Sequence, residues 1–150
     1  MDDDTFIRDL KETLTRRADA EEERVKKENR EFDLVAAKAP GDWGKLKAWL
    51  KERTAQLPAE LVSYQEELNS IEIRYRIPRG MRTTQVVFRQ LDKFATEIVV
   101  TAKGGVLDGD FTFECGIEAK VLIWFYATNQ KVRFDIPGMG KVILTEATRG

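Results

Sequence analysis

Lys120-Val121-Leu122-Ile123-Trp124-Phe125-Tyr126-Ala127 is the stretch whose reading decides the fold. Beyond Lys120 it holds neither a charge nor a turn former. It reads as the central strand of a mostly antiparallel sheet. Its apolar residues fall on both parities: Val121, Ile123 and Phe125 on one face, Leu122, Trp124 and Tyr126 on the other. A strand that is apolar on both sides needs cover on both sides. With the first set assigned to the core, Leu122, Trp124 and Tyr126 become a candidate interaction patch. The long helix described below, a second subunit or a ligand would cover it.

The flanking segments are one-sided. Ile71, Ile73, Tyr75 and Ile77 alternate with Glu72, Arg74 and Arg76, the period-two mark of a half-buried strand. Pro78-Arg79-Gly80 is a turn. Residues 84–95 fit a strand and also a helical face through Val87, Leu91, Phe94, Ala95 and Ile98. The strand reading places strands at 84–90 and 96–102, with a turn near Asp92-Lys93. Gly104-Gly105 and Asp108-Gly109-Asp110 bracket a connection, and Phe111, Phe113 and Cys115 alternate beyond it. Asn129-Gln130 is a turn before Val132, Phe134 and Ile136. Pro137-Gly138-Met139-Gly140 reads as a loop, and Val142-Ile143-Leu144 as a last strand.

Upstream the period is helical. Residues 5–37 contain no Pro or Gly and carry the stripe Phe6, Leu10, Leu14, Ala18, Val25, Phe32 and Val35. The middle, Glu21-Glu22-Glu23-Arg24-Val25-Lys26-Lys27-Glu28, is charged, with acids placed four residues before bases. A helix of this extent spans about 50 Å, against about 40 Å for the diameter of a compact chain of this size. It therefore bends, breaks, overhangs, or lies across the sheet with both ends held. Pro40-Gly41 is expected to end it. A second helix follows from Asp42 through Trp43, Leu46, Trp49, Leu50 and Leu57. A short third one runs from Pro58 through Leu61, Val62, Gln65 and Leu68.

The expected fold is therefore α+β: two to three N-terminal helices, one very long, followed by a mostly antiparallel sheet of about six or seven strands. Residues 1–150 read as a single domain, with a helical part at 1–68 and a sheet part at 70–146.

The chain has 150 residues, a net charge of −1, one cysteine and no histidine. The near-zero charge selects no class of charged partner. The missing histidine removes Ser-His and Cys-His pairs, histidine bases and histidine metal sites. Ser63 and Ser70 lie in no nucleophile elbow, and no phosphate-cradling glycine loop is present. Asp108-Gly109-Asp110 lacks the spacing of a calcium loop, and Cys115 reads as a core thiol. No catalytic residue, metal ligand or cofactor is expected. The chain opens on acids rather than a basic leader, and no apolar run reaches about 20 residues, so a cytoplasmic protein without a membrane segment is expected.

One basic stretch remains. Arg74, Arg76, Arg79, Arg82 and Arg89 occur with no acid between them. Arginine forks suit phosphate and carboxylate, making Arg74, Arg76, Arg79 and Arg82 a candidate anion site. Nucleic acid is the second-ranked partner, because the overall charge and the lack of an aromatic platform on that face argue against it. The first-ranked reading is a non-catalytic protein-binding or self-assembly module. It uses the second apolar sheet face and the long helix, with a homo-oligomer or protein partner.

Overall fold

The computed structural model describes residues 2–92, 95–105 and 107–149. A helix α1 (Asp3–Thr54) leads into seven strands: β1 (Val62–Glu66), β2 (Ser70–Ile77), β3 (Gly80–Asp92), β4 (Ala95–Lys103), β5 (Gly109–Glu118), β6 (Val121–Tyr126) and β7 (Asn129–Phe134). A second helix, α2 (Ile136–Ala147), follows them. The strands form one antiparallel sheet in chain order, each paired with its sequence neighbours. The fold is thus α+β; where two to three helices were expected upstream of the sheet, the described residues have one before it and one after it.

Helix α1 starts at Asp2, whose side chain accepts from the Asp4 amide at 3.2 Å, with Asp3 and Asp4 in the first turn. It does not stop at Pro40-Gly41 and runs on to Thr54. A proline inside a helix costs about 3 kcal/mol through the lost N–H and the clash with the carbonyl four residues back. Two things offset that cost. Val35, Ala39, Trp43, Leu46 and Leu50 are buried in one unbroken stripe through the proline, and burying each large apolar side chain contributes about 1.5–3 kcal/mol. The carbonyl that Pro40 leaves without a donor is that of Ala36, and Gln90 Nε2 from β3 donates to it at 3.1 Å. Gln90→Ala is expected to cost about 1 kcal/mol in the native chain and close to nothing beside Pro40→Ala, which restores the helical donor. A double-mutant cycle by urea denaturation checks this; equal costs in both backgrounds would refute it.

The predicted third helix is instead one turn followed by β1. Leu61 and Val62 amides bond back to the Pro58 carbonyl, and the chain then extends along β2 from Val62↔Tyr75 to Glu66↔Ile71. The helical face proposed there does not form: Leu61 is 39% exposed and Leu68 80%. Val62 and Tyr64 turn inward with period two, and the Tyr64 hydroxyl donates to the Lys47 carbonyl of α1 at 3.1 Å.

The predicted loop at residues 137–140 and the strand at 142–144 are both α2. Asp135 is its N-cap, accepting from the Gly138 amide at 2.7 Å, and Pro137 sits in the first turn. Met139, Ile143 and Ala147 are buried at four-residue spacing. Gly140 is required because any Cβ there would overlap the Trp49 ring of α1. Residues 84–90 and 96–102 are strands, which settles the ambiguous segment; Lys93 of the predicted turn lies outside the described residues. The turn expected at Asn129-Gln130 falls at Ala127-Thr128, so that β7 begins with Asn129.

The run at 120–127 is not central. β6 is next to the edge strand β7, and β4 is the middle strand. Its inward face also differs from the expected one. The β5–β6 hairpin pairs Glu118 with Val121 across Ala119-Lys120, both at positive φ. This register sets odd residues of β5 beside even residues of β6. Leu122, Trp124 and Tyr126 therefore join Phe113 and Cys115 in the core, while Val121 is 58% exposed on the far face.

Candidate functional site

The face that Trp124 occupies is covered by α1. Trp124 Nε1 donates to Asp42 Oδ2 at 2.9 Å, directly after the Pro40-Gly41 pair. Tyr126 stacks on Phe113 at 5.5 Å and meets Phe134 edge-on at 4.7 Å. The three residues of the predicted patch are brought together, but beneath the helix. Cys115 lies beside them, paired with Trp124. Burial, and then the negative charges of Asp42 and Glu114, push its thiol up to about 12, so it stays protonated and non-nucleophilic at neutral pH.

The arginines do not form one cluster. The β2–β3 hairpin pairs Ile77 with Gly80, so inward residues are odd on β2 and even on β3. Arg74 and Arg76 point to the open face, where Arg74 Nε lies 3.5 Å from Glu72. Arg79 is exposed in the turn. Arg82 points the other way and is fully buried. Its guanidinium donates to the carbonyls of Glu146 at 2.8 Å, Gly104 at 2.5 Å and Leu107 at 2.6 Å, and to Glu146 Oε1 at 2.7 Å. Arg82 thus joins β3, the loop before β5 and α2 through four of its five N–H groups, and its full burial keeps it from an external anion.

A groove of about 570 Å³ runs along the outer edge of β1–β3 and includes Glu66, Glu67 and Glu72. Among the described residues, no group of three or more acidic or cysteine side chains converges as a cation site would require. No helix of the described residues is long and apolar enough to cross a membrane.

Two surfaces remain. One is the sheet face away from the helices, where Val87 lies beside Val99 and Phe125 lies across Gly116, a Cβ on which would sit 3.6 Å from the ring. Charged and hydroxyl side chains such as Glu97, Thr101, Thr112 and Glu114 occupy much of the rest of that face.

The other is the first half of α1. Buried positions on this helix begin at Val35. Residues 3–28 extend about 39 Å as a helical arm. Every side-chain hydrogen bond and ion pair described for this arm stays within it. Its two parts differ. Around residues 21–28, Arg24 pairs with Glu21 and Glu28 at 2.5 Å and Lys26 with Glu22 at 3.4 Å. The Arg24 guanidinium holds Glu21 below the usual carboxylate range. Near the start, Phe6 (53%), Ile7 (46%), Leu10 (43%) and Leu14 (52%) are exposed. At about 100° per residue they fall within a sector about 100° wide, the width of a core-facing stripe. Ile7 was missed by i,i+4 counting and is found by placing each residue on the helical wheel. A comparison with protein families, curated proteins and solved structures returns no match, so this geometry alone bears on function.

Proposed function

We propose that this protein is a self-assembly module whose helical arm joins copies of the chain. The observation that carries the reading is the exposed apolar sector of Phe6, Ile7, Leu10 and Leu14 on a helix segment with no buried residue and whose described hydrogen bonds and ion pairs stay within it. Helices in water draw most of their stability from packing an apolar face, and a short isolated one is marginal. The intrahelical ion pairs around residues 21–28 support the arm's middle but, being solvent-exposed, contribute little. A second helix against the sector supplies the missing burial. The anion-binding alternative through Arg74, Arg76, Arg79 and Arg82 has less behind it, because Arg82 is committed to the interior.

Sedimentation equilibrium tests the proposal. The native chain is expected to show a concentration-dependent dimer, and Leu10→Lys with Leu14→Lys a monomer of unchanged sheet stability. A native chain that stays monomeric at high micromolar concentration would remove the reading.

A further inference from the structure

The charges along the arm carry the partner's orientation, and this step rests on the self-assembly reading above. We infer that two arms pair antiparallel about a two-fold axis at Leu10. That axis brings each position n level with position 20 − n of the second copy. Phe6 then lies level with Leu14, and Leu10 with Leu10. Asp3 lies level with Arg17, Asp4 with Arg16, Arg8 with Glu12 and Asp9 with Lys11. Six of these eight charges lie about 100–160° around the helix from Leu10 and point away from the contact, so the end pair Asp3 and Arg17 carries the orientation. Parallel arms in register set Asp3 beside Asp3 and Arg17 beside Arg17, which destabilises pairing.

The geometry is consistent in two further respects. On the wheel Asp3 and Arg17 fall within about 20° of the Leu10 direction, so they sit in the contact and close its two ends. The overlap also has a natural limit. Position 2 of one copy is level with position 18 of the other, and the internally paired segment begins at Glu21. The part of the arm that satisfies its own charges is the part the partner does not reach. From Leu10 to Val35, the first buried residue of α1, is about 38 Å, so the two sheets are held with their anchor points about 75 Å apart.

Charge exchange in the full-length chain tests the orientation by sedimentation equilibrium. One variant carries Asp3→Lys; the other carries Arg17→Glu. Each alone sets like charges level at two places in the dimer contact, and each is expected to dimerise about tenfold more weakly or worse. Their equimolar mixture, and the chain carrying both changes, are expected to regain native affinity. Recovery in the mixture separates pairing from any fraying caused by a lysine in the first helical turn. A native dimer whose affinity ignores both changes, or a mixture that fails to recover, overturns the antiparallel arrangement and leaves self-assembly standing. A monomeric native chain overturns both.

Discussion

Replacing Arg82 with methionine is expected to lower the unfolding free energy by about 3–5 kcal/mol, because one member of a buried, hydrogen-bonded ion pair is removed. The remaining Glu146 carboxylate is only 13% exposed, and the carbonyls of Gly104, Leu107 and Glu146 lose a donor. Against a typical total of about 5–15 kcal/mol this is a large fraction. Adding Glu146→Leu is expected to recover the part due to the stranded charge but not the part due to the carbonyls. Urea denaturation of the two variants measures both. If Arg82 were instead a solvated member of a ligand site, its replacement would change stability by less than about 0.5 kcal/mol, and that result would contradict the assignment.

The second large effect is at Trp124. Trp124→Ala is expected to cost about 3–5 kcal/mol, the range for emptying a buried aromatic position. Trp124→Phe is expected to cost about 1 kcal/mol, chiefly the hydrogen bond to Asp42. The pair of variants distinguishes two roles for the residue. A tryptophan waiting for a partner would lose binding while the folded chain kept its stability; a tryptophan clamped under α1 loses stability in step with its size. Thermal or chemical unfolding that leaves Trp124→Ala as stable as the native protein would refute the second role.

Much of the sheet was legible because period-two alternation is a local property. Ile71, Ile73 and Ile77 announce β2, and Phe111, Phe113 and Cys115 announce β5, without knowledge of their neighbours. Alternation within a strand does not say which parity faces inward, since the adjoining hairpin sets it. The two-residue turns at Pro78-Arg79 and Ala119-Lys120 exchange parity between the strands they join. This is why the core side of Trp124 is not readable from its strand alone; Arg82 reads from sequence as part of the turn after β2, whereas it pairs with Tyr75 on the inward side of β3. Pro40 misled for a different reason. Its cost is local, while the compensation comes from Gln90, fifty positions later in the chain, and from burial across the whole stripe. At residues 142–144, three aliphatic residues in a row fit strand and helix alike; the deciding signal was the Asp135 cap with Pro137 in the first turn.

For the candidate site, length alone left bending, breaking, overhang and lying across the sheet open, while most of the apolar sector near the start of α1 was legible from spacing. The structure extended the helix through Pro40 and showed that its second half is the anchored part.

The chain-order sheet also bears on how the molecule reaches its native state. Each strand pairs with its immediate predecessor, so every step of sheet growth closes only a short loop. Docking α1 is different: Asp42 and Trp124 are 82 positions apart. Closing a flexible loop of that length costs about 4 kcal/mol in chain entropy, plus a constant. That closure becomes cheap only once the intervening strands have shortened the effective path. The contact of α1 with β6 is then among the last to form, whereas Tyr64 of β1 meets Lys47 of α1 across 17 positions. Until β6 has formed, Asp42 lacks the indole N–H that donates to it.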